Sequence, residues 1–150
     1  KGLTGHYKPL AENSPVPIVL YNVPHRTGVN LEPKTVIDSS KHKNIIGIKE
    51  SSGDINQSLE ILAKTDDFML ISGDDSLTLA MLAIGAIGSI SVLANALPEQ
   101  ITSIYKNFIS KNLEEAQNMV MTARVMLGWV DPADLEPDAE DDDLTEEEEA

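Results

Sequence analysis

Apolar residues follow two rhythms along this chain. Short, almost unbroken runs at Pro17-Ile18-Val19-Leu20, Ile45-Ile46-Gly47-Ile48, Phe68-Met69-Leu70-Ile71 and Gly88-Ser89-Ile90-Ser91-Val92 read as buried strands, predicted over 17–23, 45–50, 68–72 and 88–94. Between the runs, apolar residues return every three or four positions, the period of a helix with one buried face. Leu3, Tyr7 and Leu10 share a face over 3–13, where Pro9 would interrupt a long helix, and Pro33 suits the first turn of a short helix through Ser40 with Val36 and Ile37 inward. Gly53-Asp54 turns the chain into a helix burying Ile55, Leu59 and Leu62. The segment from Leu77 to Ile84 is apolar almost all round, as in a helix covered on several sides. Pro98 starts a helix with Ile101, Ile104, Tyr105, Phe108 and Ile109 on one stripe, and beyond Asn112 the positions Leu113, Ala116, Val120, Ala123 and Leu127 recur at helical spacing. Residues 24–31 read as a loop. Strand and helix in alternation, four times over, imply an α/β fold with a parallel sheet.

Charge changes that picture only at one end. Residues 131–150 hold 12 of the 25 acids and no base, so the formal charge of −14 is mostly that of a tail, and the first 130 residues are nearly neutral. A low-complexity acidic run buries too little apolar area to offset its ordering entropy, so it is expected to be disordered. The chain therefore divides into a folded unit over 1–130 and an acidic tail over 131–150. There is no cysteine, which excludes a disulfide framework and thiolate metal sites. His6, His25 and His42 lack the spacing of metal ligands, and no metal is expected. No apolar run approaches the roughly 18 residues of a membrane span and no signal-peptide pattern is present, so a cytoplasmic protein without a membrane or nucleic-acid partner is expected.

The candidate chemistry lies where two strands end. One run leads into Tyr21 and another into Lys49, at the C-terminal ends where barrels of strand-helix units build their active sites. Lys49 taken alone reads as a stem packed beside the core with its ammonium in solvent. The sharper reading is a desolvated, nucleophilic amine able to form a Schiff base with a ketone. If the two strands are neighbours, the Tyr21 phenol, the Arg26 guanidinium and that amine converge on one rim. Adjacent acids such as Asp74 and Asp75 more often cap a following helix than bind a metal. Gly47 and Gly73 are expected to leave room inside the mouth.

Tyr21-Asn22-Val23-Pro24-His25-Arg26-Thr27-Gly28, followed by Gly47-Ile48-Lys49-Glu50 with its lysine 28 residues after the tyrosine, resembles the dihydrodipicolinate (4-hydroxy-tetrahydrodipicolinate) synthase family of the class I pyruvate aldolases, within the N-acetylneuraminate lyase superfamily. Ser72-Gly73-Asp74-Asp75 and Gly88-Ser89-Ile90-Ser91-Val92 fit the same family in order, and the resemblance runs from about Gly2 to about Arg124. It implies a partial (β/α)8 TIM barrel made of the last four strand-helix units with a C-terminal helix. It further implies a lyase condensing pyruvate with aspartate semialdehyde in lysine biosynthesis, without a cofactor and as a homo-oligomer in the full-length parent. By the same resemblance Lys49 is the Schiff-base lysine and Tyr21 the proton-shuttling phenol. Arg26 holds the aldehyde's carboxylate, and Gly73 and the Ile90 carbonyl border the substrate. Ile90 reads equally as plain core. The family's threonine pair and its subunit-bridging tyrosine belong to the other half of the barrel, so this chain is expected to be inactive alone. Two alternatives stay open: an N-acetylneuraminate lyase or 2-keto-3-deoxy-sugar-acid aldolase relative, which Arg26 and Gly73-Asp74-Asp75 disfavour, and a non-catalytic half-barrel that binds a partner.

Overall fold

The computed structural model describes residues 2–126 together with Gly128 and Asp131. Helix α1 (Gly2–Asn13) precedes strand β1 (Ile18–Asn22), the single turn α2 (Pro24–Thr27) and α3 (Pro33–Ser40). Then come β2 (Ile45–Glu50), α4 (Ile55–Ala63), β3 (Met69–Ser72), α5 (Thr78–Ala83), β4 (Gly88–Ser89), α6 (Pro98–Ile109) and α7 (Leu113–Met126). The strands form one parallel sheet in the order β1-β2-β3-β4, as alternating strands and helices require.

The two faces of the sheet differ. Leu20, Asn22, Ile48, Glu50, Leu70 and Ser72 are all 3% exposed or less and lie under the helices, with Val36 of α3, Ile61 of α4 and Met81 of α5 completing the core around the apolar ones. Residues of the opposite parity, Val19, Tyr21, Lys49 and Ile71, look out of the other face, where Val19 and Tyr21 are exposed and Lys49 and Ile71 half-buried. A parallel sheet is normally covered on both sides, so one face here is complete and the other open, as in half of a barrel. A second apolar cluster joins Leu82 of α5 to Ile101 and Ile104 of α6, with Met119 and Val120 of α7 packed against it.

Local chemistry explains the joins. The Asn44 side-chain amide donates to the carbonyls of Ala11, Ser14 and Val16 at 3.0–3.1 Å, tying the end of α1 to the entry of β1. Asp54 caps α4 by accepting from the Asn56 and Gln57 amides, where the Gly53-Asp54 turn was expected to start that helix.

Several sequence-based expectations give way. Helix α1 runs through Pro9, because Tyr7 and Leu3 on one side of it and buried Ala11 on the other pack on the core and hold both turns. The buried stripe is therefore Leu3-Tyr7-Ala11, and Leu10 is exposed. Residues 24–27 form a helical turn rather than loop, closed by Gly28 at φ 70°, whose amide bonds to the Pro24 carbonyl. On α4 the buried residues are Gln57, Ser58 and Ile61, whereas Leu59 is exposed, because Gln57 bonds a buried carboxylate on β2 and the Ser58 hydroxyl is satisfied by the Asp54 carbonyl of its own helix. The α5 segment is shorter and more open than predicted, with Thr78, Met81 and Leu82 as its buried side. On α6 only Ile101 and Ile104 are buried, while Tyr105 and Ile109 are exposed, and on α7 Ala116 is buried and Leu113 exposed. Leu127 and the tail over 132–150 lie outside the described residues.

The fourth strand is the largest departure. It was expected over 88–94 but keeps only Gly88 and Ser89, because the Asp75 carboxylate gathers the amides of Val92 and Leu93 at 3.1 Å and winds Leu93–Asn95 into a 3-10 turn. Ile90 is then 51% exposed, so its reading as plain core fails. Among the described residues no helix is long and apolar enough to cross a membrane.

The reassigned face of α4 has a direct check. Ile61→Ala should cost about 2–5 kcal/mol of unfolding free energy and Leu59→Ala no more than about 1 kcal/mol, measured by denaturant titration. The reverse order would restore the spacing read from sequence.

Candidate functional site at the C-terminal rim of the sheet

The site is assembled by register. Tyr21 of β1 pairs with Lys49 of β2, Lys49 with Ile71 of β3, and Ile71 with Gly88 of β4, so one row crosses the open face. Within that row the Lys49 ammonium nitrogen lies 4.4 Å from the centroid of the Tyr21 ring, a cation-π distance. The two residues read from sequence as the reacting pair are thus brought into contact.

Beyond the row, each strand end is fastened to the next by one backbone hydrogen bond. Ser51 N–H donates to the Asn22 carbonyl, Gly73 N–H to the Glu50 carbonyl and Ile90 N–H to the Ser72 carbonyl, each at 2.8 Å. This staircase sets the rim from which the loops leave. Gly73 stands where a Cβ would meet Ser51 Oγ and lie 2.7 Å from Lys49 Cε, so the absence of a side chain there makes room for the lysine. Gly47 makes room elsewhere than expected: its Cβ would press on the Met69 carbonyl and Cβ at 2.6 and 2.8 Å, so it serves the approach of β3 rather than the mouth.

The remaining predicted residues divide. Arg26 is exposed on α2, and no hydrogen bond or ion pair holds its side chain among the described residues. Ile90 is fixed through its amide while its side chain is exposed. Asp74 caps the 3-10 turn Asp75–Leu77, accepting from the amide and hydroxyl of Ser76 at 2.9 and 2.6 Å, which agrees with a capping role. Asp75 does not cap that turn. It bridges to the loop after β4 instead, and its Oδ1 is buried without a partner among the described residues, as is Ser51 Oγ. A cavity of about 340 Å³ opens between these loops, lined among others by His25, Ser51, Gly73, Asp74 and Asp75. No three His, Asp or Glu side chains among the described residues group as metal ligands would.

Sequence reasoning missed a polar cluster on the covered face, directly beneath Tyr21 and Lys49. The Glu50 carboxylate accepts from Asn22 Nδ2 at 3.0 and 3.1 Å, from Gln57 Nε2 at 3.0 Å and from the Ser52 amide at 2.6 Å. Asn30 joins it, accepting from Asn22 Nδ2 and donating to Gln57 Oε1, each at 2.8 Å. The signal was present in the motifs themselves, since a polar residue follows the reactive one at both strand ends and strand parity sends it to the other face.

Comparison with known proteins agrees with this architecture. The model of the dihydrodipicolinate synthetase family matches residues 1–127. The 4-hydroxy-tetrahydrodipicolinate synthase of Cytophaga hutchinsonii is 46% identical over 121 residues, which are 80% of this chain and 41% of that protein. The enzyme of the same name from Endomicrobium trichonymphae is 50% identical over 117 residues, 77% of this chain and 40% of its own. The crystal structure of dihydrodipicolinate synthase from Thermotoga maritima superposes with a TM-score of 0.79 at 38% identity, covering 85% of this chain and 45% of its own. The chain thus spans about two-fifths of the length of these curated relatives.

The space beside Lys49 can be tested without any substrate. Gly73→Ala should displace the lysine stem or the Ser51 hydroxyl and lower the melting temperature. Gly88→Ala, where a Cβ meets nothing within 4 Å, should leave it nearly unchanged. Equal melting of the two variants would show that Gly73 is not needed for close approach.

Proposed function

The chain belongs to the dihydrodipicolinate synthetase family, and from that premise we propose that it supplies the Schiff-base half of a lyase that condenses pyruvate with aspartate semialdehyde in lysine biosynthesis. The observation that carries the proposal is the pairing of Tyr21 with Lys49 on adjacent parallel strands, amine against phenol, at the end of the sheet where such folds do their chemistry.

The roles follow from the groups. The Lys49 amine adds to the ketone carbon of pyruvate and water leaves, giving an iminium; loss of a methyl proton gives an enamine whose carbon attacks the aldehyde. Tyr21, whose ring lies beside the nitrogen, carries protons to and from the oxygens that leave and form. Arg26, exposed and uncommitted among the described residues, offers a planar fork to the carboxylate of the second substrate. Gly73 keeps the amine's space open and the Ile90 carbonyl lies at the border of the substrate. No cofactor enters this scheme, and a cytoplasmic location and a homo-oligomeric parent go with it.

The folded unit is taken as 1–130, half of a barrel, with 131–150 as a tail. Among the described residues both outer strands, β1 and β4, carry an unpaired edge, and Tyr21 and Lys49 lie on the open face. An iminium site needs its groups held within about 0.5 Å of productive geometry. The chain is therefore proposed to be inactive alone and active only when the remaining strands close over it.

Borohydride reduction with pyruvate, on the chain mixed with the separately expressed N-terminal half of a relative, should attach the pyruvate carbons to Lys49. Synthase turnover should appear in the mixture and not in the chain alone. Labelling spread over other lysines would sink the assignment of Lys49, and turnover by the chain alone would overturn the need for closure.

In the same closed barrel Arg26→Ala should weaken use of aspartate semialdehyde by roughly tenfold to a hundredfold, the loss of a charge-assisted hydrogen bond of about 1.5–3 kcal/mol, while pyruvate trapping holds. Parallel loss of both activities would mark Arg26 as structural.

A further inference from the structure

Glu50 has no part in the chemistry above, yet it is 3% exposed, adjoins Lys49 in sequence and has no cation paired with it among the described residues. A buried carboxylate without a counter-ion is costly, and a pair of apolar side chains at positions 22 and 50 would continue the packing of Leu20, Ile48 and Leu70 on the same face. Stability by itself therefore does not account for the residue. We infer that Glu50 is a positioning residue: through Asn22 it fixes the Tyr21 phenol against the Lys49 amine on the other side of the sheet.

The geometry carries the inference in three steps. Asn22 and Glu50 are register partners, one residue beyond the partners Tyr21 and Lys49, and alternation places the two pairs on opposite faces of the same two strands. Any twist of either strand end that shifts the phenol from the amine must also pull Asn22 from Glu50. The carboxylate, which only accepts, collects N–H groups from three separate segments: Asn22 of β1, Ser52 after β2 and Gln57 of α4. Asn22 is itself held from its other end, since its Oδ1 accepts from the Leu31 amide at 2.9 Å and its Nδ2 also donates to Asn30. The strand end that carries Tyr21 is thus anchored to a helix and to the loop after α2, not only to β2. Such a satisfied polar cluster fixes one arrangement where an apolar contact would tolerate several.

The inference rests on the reading of Tyr21 and Lys49 as the reacting pair, but its test needs no turnover. Reductive methylation with 13C-formaldehyde places methyl groups on the lysine nitrogens of the intact chain, and the Tyr21 ring current displaces the NMR signal of those on Lys49. Lys49→Arg assigns the signal, and Tyr21→Leu gives its undisplaced position. In Glu50→Gln, where an amide must face the donors of Asn22, Gln57 and Ser52, the Lys49 signal should move most of the way to the Tyr21→Leu position. The other lysine signals should stay in place and thermal unfolding should remain cooperative. An unmoved Lys49 signal in folded Glu50→Gln would overturn the inference. If Glu50→Gln does not fold, Gln57→Leu removes one donor from α4, and a smaller displacement in the same direction is expected; an unmoved signal there overturns it equally. Loss of cooperative unfolding in both variants would assign Glu50 to the fold alone and overturn the positioning role. Failure of Lys49 to trap pyruvate would leave these outcomes readable, so the two readings fail separately.

Discussion

Tyr21 lies beside Lys49, and Asn22 beside Glu50, because β1 and β2 run parallel in a register that a slip of one residue would invert. Everything distinctive about this molecule depends on that parity. A slip would carry the lysine under the helices, where an ammonium would find Leu20 and Leu70, and would turn Ile48 and the Glu50 carboxylate toward the open face, the carboxylate away from its donors. Apolar burial and polar pairing oppose the slip together, so the register is specified from both sides of the sheet. The row of Tyr21 and Lys49 and the polar cluster are two consequences of one constraint.

That constraint also decides what could be read from the amino acids. The strands at 45–50 and 68–72, the start of β1 and the helix start at Gly53-Asp54 were legible, because an unbroken apolar run or a turn dipeptide reports local geometry directly. The pairing of Tyr21 with Lys49 was legible only once the two strands were taken as neighbours, since a register is a property of two segments. What escaped was non-local. Leu59 keeps helical spacing yet is exposed, because Gln57 and Ser58 are drawn inward, Gln57 by a carboxylate seven residues back. The fourth strand was read as far as Ala94, but an aspartate 17 residues before Val92 claims the amides there and ends it early. Pro9 was read as a break because propensity is local, whereas the packing that keeps α1 continuous comes from the core on both sides of it.

The two faces place opposite demands on the chain. The helix-covered face is self-sufficient, with its apolar residues buried and the polar residues of its cluster supplied with partners. The other face, with Val19 and Tyr21 exposed and both outer strand edges unpaired among the described residues, resembles a barrel interior without its enclosure. A TM-score of 0.79 against the Thermotoga maritima enzyme places the same four units in the same arrangement as in a complete relative. The architecture of the half is thus carried by its covered face, while cover for the open face would come from the strands opposite.

Unsatisfied polarity is distributed to match. Among the described residues the buried side-chain oxygens without a partner are Ser51 Oγ and Asp75 Oδ1. Each such group costs about 1–3 kcal/mol when buried. Both belong to the loops that follow β2 and β3, and both residues line the cavity beside Gly73. Asp75 shows the division within one side chain: Oδ2 is spent on the Val92 and Leu93 amides and holds the rim together, whereas Oδ1, on the same carboxylate, is uncommitted. Beneath the sheet, by contrast, Glu50 has donors at both oxygens. The layer below the sheet is saturated and holds the frame still, whereas the rim above carries two buried oxygens that bear the cost of desolvation without a hydrogen bond.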